Sequence, residues 1–210
     1  MTTSIRPDFD VETSPTAFGF NLPQRAGRLL WAPMLGMALM AFPVGLLLAG
    51  IRAATVQQGG DPAAVAALGQ FGPAVMFIGF ASVFAAVSFA IARILGTLRQ
   101  GGGAVQEAAG RTVQSLRMPT TAKVFIALMM MAMLLLVGAV IAHFGVGAAI
   151  LGGDTTTLAA AEAWSIGLEA VRRIGVVLYL VAIVLGLASI AQVLKFQAIR
   201  LRELPSEAAR

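Results

Sequence analysis

The run from Met34 to Asp61 returns 93 positions later as Ala127 to Asp154, without a gap, and both copies end in Gly-Gly-Asp. Nine of the 28 paired positions are identical: Leu35/Leu128, Met37/Met130, Met40/Met133, Val44/Val137, Gly45/Gly138, Ala49/Ala142, Gly59/Gly152, Gly60/Gly153 and Asp61/Asp154. Each copy is an apolar run that enters a short polar loop and then a second apolar run. A chain written this way is built twice from one unit. The runs, Leu29 to Ile51, Pro73 to Leu95, Val124 to Val146 and Ile174 to Leu194, match the roughly 20 apolar residues a helix needs to cross a bilayer.

The predicted fold is therefore all-α and integral to a membrane: four transmembrane helices arranged as two tandem parallel helical hairpins, related by internal duplication. With 58% hydrophobic and 12% charged residues and a mean hydropathy of +0.85, the chain has too much apolar surface for one soluble core. Its solvent is the lipid bilayer. Basic residues set the orientation. Twelve lie on one side (Arg6, Arg25 and Arg28; Arg93, Arg99, Arg111, Arg117 and Lys123; Lys195, Arg200, Arg202 and Arg210) against Arg52, Arg172 and Arg173 on the other. The positive-inside rule then predicts both termini in the cytoplasm (N-in/C-in), and the expected location is the plasma (inner) membrane. Because the formal charge of +5 comes from these membrane flanks, nucleic acid is not an expected partner.

The expected organisation has five parts. Residues 1–28 form a cytoplasmic N-terminal tail, mostly disordered and ending in an interfacial segment. Residues 29–95 form the first transmembrane hairpin, with Pro43 near the middle of its first span, where one helical hydrogen bond is lost. Residues 96–123 form a basic cytoplasmic linker, in which Gly101 to Gly103 break the helix and Ala104 to Arg117 make a short amphipathic one. Residues 124–194 form the second hairpin, and residues 195–210 a helical extension and tail. Asp61 before Pro62, and Asp154 before Thr155 to Thr157, are helix N-caps. Past Asp154 no breaker intervenes, so one helix is expected from Thr157 to Leu204, roughly 70 Å long at 1.5 Å per residue.

The residues able to carry chemistry are few. His143 lies inside a span, where an ionisable group is costly and marks a functional hypothesis: a haem b ligand, a proton relay or part of a quinone pocket. The bland alternative is a histidine hydrogen-bonded between helices. As the sole histidine it excludes a bis-imidazole haem within the chain. A second candidate is a polar cluster at the outer boundary: Arg52, Asp61, Asp154, Glu162, Glu169, Arg172 and Arg173, with Glu169 within i+3 and i+4 reach of both arginines. It would bind a cation or dock a subunit, or be a salt-bridged helix extension. Ten methionines, four of them between Met129 and Met133, suggest plastic packing ahead of copper(I) binding, since no cysteine accompanies them. Gly45, Ala49, Gly138 and Ala142 are the small residues at which spans one and three are expected to cross.

Zero cysteines exclude disulfides and thiolate chemistry, and the spans hold no paired carboxylates, phosphate loop or zinc signature. No enzymatic activity and no resident cofactor are expected. The leading reading is a non-enzymatic membrane subunit or anchor, whose partners are lipid and other membrane or peripheral subunits or further copies of itself. A small transporter or channel built from the duplicated hairpins, or from a dimer, is the alternative. An electron-transfer subunit using His143 for haem or quinone is the third.

Overall fold

A computed structural model of the chain describes residues 9–208. The parts of the expected tails holding Arg6, Asp8 and Arg210 lie outside the described residues. In chain order the elements are β1 (Val11–Ser14), α1 (Leu22–Gln57), α2 (Pro62–Ala108), β2 (Val113–Leu116), α3 (Thr120–Leu151), α4 (Thr155–Ala159) and α5 (Ala161–Ala208). Four helices are long and apolar enough to cross a membrane: α1, α2, α3 and Ala161–Leu204 of α5.

How these helices stop is written in three glycines. Gly59, Gly110 and Gly153 alone among the described residues have φ between 65° and 87°, a region that disfavours any residue with a Cβ. Each follows the end of a helix and closes the same pair of hydrogen bonds. Gly59 N–H donates to Val56 O and Gly60 N–H to Thr55 O; Gly110 and Arg111 repeat this on Glu107 and Gln106, and Gly153 and Asp154 on Ile150 and Ala149. These are Schellman caps, which satisfy carbonyls that a helix end leaves without a partner. The expected break at Gly101 to Gly103 is corrected: α2 runs through all three to Ala108 and is capped by Gly110. The expected amphipathic helix over Ala104 to Arg117 is corrected too, since only Ala104 to Ala108 are helical, as the end of α2, and Val113–Leu116 is strand β2. Asp154 does cap a helix, but α4 stops at Ala160, and the long α5 starts at Ala161.

The residues cluster into two compact units. One gathers Met1–Leu30, Ser88–Ile126 and Ala182–Arg210. Within it β1 pairs antiparallel with β2, Val11 opposite Leu116 and Ser14 opposite Val113. The open edge of β2 is covered by a side chain of α2. Gln106, 1% exposed, donates from Nε2 to Gln114 O (2.9 Å) and Gly102 O (3.1 Å), and its Oε1 accepts from Gln114 N–H (2.9 Å). Arg99 pairs with Glu12 at 2.5 Å and stacks over Phe18, while Ala17 N–H donates to Glu107. Asn21 and Gln24 exchange side-chain hydrogen bonds with each other's backbone N–H, a capping box that starts α1. From residue 9 onward the tail expected to be disordered is thus structured. Its polar side chains find partners on α2 and β2, which short-range reading does not reveal. Gly103 serves this packing: a Cβ there would sit 3.2 Å from Val113 and 3.3 Å from Ala17.

The other unit comprises Trp31–Val87 and Ala127–Val181. Here α1 lies on α2 through Gly45, whose missing side chain makes room for Met76, and through the edge-to-face pair Phe42–Phe80 at 5.0 Å. Gly147 of α3 lies against Phe71 of α2, and Gly175 of α5 against Leu136 of α3. Ala132, Leu136 and Tyr179 form one buried cluster, with Tyr179 stacked on Phe84; Ala67, Val146 and Ile150 form another. The expected crossing of spans one and three at Gly45, Ala49, Gly138 and Ala142 is corrected. Gly45 contacts α2, Ala49 is exposed, Gly138 has no heavy atom near its missing side chain, and Ala142 is half-buried. Small residues permit close approach without naming the helix that makes it.

Candidate functional site

The polar side chains of α2, α3 and α5 meet inside this second unit. Gln70 of α2 is 2% exposed and donates from Nε2 to Ala161 O at 3.1 Å. That bond turns its Oε1 towards His143 of α3, whose Nδ1 lies 2.7 Å away. An amide oxygen only accepts, so Nδ1 carries the proton and Nε2 is left with a lone pair. His143 is 1% exposed, and Nε2 meets no hydrogen-bond partner among the described residues. The lone histidine is therefore a bridge between helices, fixed in one tautomer by a glutamine that is itself fixed by the first residue of α5.

Gln70 and Ala161 also line an open cleft of about 760 Å³, together with Arg52, Pro62, Gly69, Pro73, Glu162, Glu169 and Arg172. Arg172 is the buried charge of this cleft, its side chain 7% exposed. It ion-pairs through Nη2 with Glu169, one turn before it on α5, and its guanidinium lies 3.8 Å from the centre of the Phe77 ring. Nε and Nη1 have no hydrogen-bond acceptor among the described residues. Glu169 is shared, since Arg173 donates to it from Nε at 3.0 Å while remaining largely exposed. Arg52 of α1 lies across Gly69 of α2; a Cβ there would sit 3.2 Å from its guanidinium carbon.

Of the seven residues in the expected polar cluster, four converge on this cleft: Arg52, Glu162, Glu169 and Arg172. Arg173 joins them through Glu169. The two aspartates do local work. Asp61 accepts from Ala63 N–H at the start of α2. Asp154 accepts from the backbone and hydroxyl groups of Thr156 and Thr157, and those bonds, the Thr156 hydroxyl first, hold its carboxyl well below the usual carboxylate range. The sequence reading singled out neither Gln70 nor Phe77. The signal for Gln70 was available: with Asp61-Pro62 starting a helix and no breaker following, Gln70 falls inside it.

Among the described residues no three histidine, aspartate or glutamate side chains converge as a metal-binding group. The arrangement is a recess with buried guanidinium and amide donors, a rim carboxylate in Glu162, and apolar surroundings. No protein-family model, no curated protein and no solved structure matches the chain.

Proposed function

We propose that the chain is a non-enzymatic membrane subunit or anchor, in which lipid and other subunits, or further copies of the same chain, cover faces that its own helices leave bare. The observation that carries this reading is on α3. Gly138 and Gly145, two turns apart on one face, have no heavy atom within 4 Å of where a side chain would begin, and Ile141 between them is 66% exposed. Glycine weakens a helix and gains nothing against lipid tails, whereas it lets a second helix approach closely. Gly45, aligned with Gly138 in the repeat, has such a neighbour in Met76.

The same reading keeps two tandem hairpins, residues 29–95 and 124–194, from an internal duplication, with both termini in the cytoplasm. Support comes from the two loops. Each pairs a Schellman glycine (Gly59, Gly153) with an aspartate N-cap (Asp61, Asp154), the first loop holding one more residue between them. Twelve basic residues against three support the orientation.

The test is isolation of the tagged chain from its own membranes in mild detergent, with the mass of the particle and its visible spectrum recorded together. A stoichiometric assembly that Gly138→Leu with Gly145→Leu releases is expected; a monomer unaffected by the pair overturns the reading. A Soret band would assign His143 to haem. Transport is favoured by one separate observation, the cleft around Arg172, and proteoliposome flux lost in Arg52→Gln would establish it.

A further inference from the structure

We propose that the cleft around Arg172 binds the oxyanion of an organic acid or phosphate ester. Three observations converge on that chemistry. First, Arg172, on the wall of a recess of about 760 Å³ and with its side chain only 7% exposed, keeps two buried nitrogens, Nε and Nη1, without an acceptor among the described residues. Buried donors are ordinarily satisfied, and a charged donor left dry is the most unfavourable kind. Second, the charges on the cleft are not paired off. Arg52 and Arg172 line it with Glu162 and Glu169, but Glu169 is divided between Arg172 and Arg173, which lies outside the cleft. Arg52, on the cleft wall, has no ion-pair partner among the described residues. Third, the group is held in place. Phe77 covers one face of the Arg172 guanidinium and Glu169 takes Nη2, so the remaining N–H groups keep a fixed direction.

A planar fork of N–H donors fits carboxylate and phosphate oxygens in pairs, which neither a halide nor a neutral hydroxyl can reproduce. The volume is that of a small-molecule site, larger than a bare ion requires. Gln70 at the wall is already engaged with Ala161 and His143, so it shapes the recess, while the arginines supply recognition. Such an oxyanion arrives from one of two sources, a soluble acid or the headgroup of an anionic lipid. The inference concerns what the cleft holds, and it stands whether the chain is a subunit or a transporter.

The experiment uses the full chain in a non-ionic detergent and follows its thermal unfolding midpoint at constant ionic strength with three probes: succinate, glycerol 3-phosphate and dioctanoyl phosphatidylglycerol. Sodium chloride is the reference salt. At least one oxyanion probe is expected to raise the midpoint saturably. Arg52→Gln, at an exposed side chain, should weaken that probe roughly ten- to hundredfold, the range of one charge-assisted hydrogen bond. Arg172→Gln should abolish the effect, and Arg202→Gln, outside the cleft, should leave it unchanged. Saturation by the soluble probes assigns a soluble ligand; saturation by the short-chain lipid alone assigns a headgroup. The proposal is overturned if no probe saturates, or if Arg52→Gln binds like the unaltered chain. The second criterion holds even if Arg172→Gln fails to fold.

Discussion

Gln106→Ala should unlock the β1–β2 pair while leaving α2 intact. The side chain makes three hydrogen bonds, and the two to Gln114 decide the outcome, because the Gly102 carbonyl lies within a helix that supplies it another donor. Removing the amide leaves the N–H and C=O of a partly buried residue unmet. Each such group costs about 1–3 kcal/mol when water cannot replace the partner. Half-burial reduces this, so the pair comes to about 2–4 kcal/mol of local stability, or roughly 30- to 700-fold in the opening equilibrium. Alanine is the better helix former, so α2 gains slightly and cannot be the source of the loss. Hydrogen exchange on the full chain reads the effect directly: the Gln114 amide should lose protection by that factor, with amides near Leu136 unchanged. Gln106→Glu should do at least as much, since a carboxylate oxygen would then face the Gln114 and Gly102 carbonyls. Unchanged protection at Gln114 in both variants would refute the view that this amide completes the sheet edge.

Leu136→Ala, in the buried cluster with Ala132 and Tyr179, should cost about 2–5 kcal/mol; the thermal midpoint in detergent checks this, with half-exposed Met131→Ala as the mild comparison. Gly103→Val would drive methyl groups into Val113 and Ala17 and should cost about 1–3 kcal/mol, seen as faster proteolysis of the segment before α1. Asp154 titrates with a defined sign. Its folded carboxyl is depressed by the Thr156 and Thr157 hydrogen bonds, so the order it confers on α4 is present above the ordinary carboxylate range and is lost as pH falls through the depressed value. Trp164 fluorescence in a Trp31→Phe background should therefore be flat around pH 5 and change only in stronger acid. Asp154→Ala should remove that transition.

Much of the fold was legible because a bilayer leaves little choice. The apolar runs could only be spanning helices, and the Asp61-Pro62 and Asp154-Thr155 signals gave helix starts that the structure keeps. Helix ends were harder. Gly101 to Gly103 look like a breaker from composition, yet glycine ends a helix only where the chain turns left-handed; here all three are helical, and Gly102 and Gly103 leave room for Gln197, Val113 and Ala17. The stop belongs to Gly110, a single glycine with no compositional emphasis. Strands β1 and β2 were illegible for another reason: four residues each, 99 residues apart at their closest, they exist through Gln106, Glu107 and Arg99. Such non-local pairing leaves no periodicity to read.

The candidate site was legible as anomaly and illegible as geometry. His143 and Arg172 stand out in apolar sequence, but Gln70, which ties His143 to α5, looks like any loop glutamine. The 93-residue offset, carried beyond the matched windows, sharpens the point. His143 corresponds to Gly50, Arg172 to Gly79 and Gln70 to Ala163. Where α5 carries Arg172, α2 carries a glycine that accepts the Phe42 ring, and Gly50 has nothing beside it. Under the proposed duplication, one copy keeps glycines, of which Gly79 packs on Phe42, at the places where the other carries a histidine and an arginine. A buried guanidinium with unmet donors carries a desolvation cost that its contacts with Phe77 and Glu169 only partly offset. Its presence in one copy only is what a binding role explains and a purely architectural one does not.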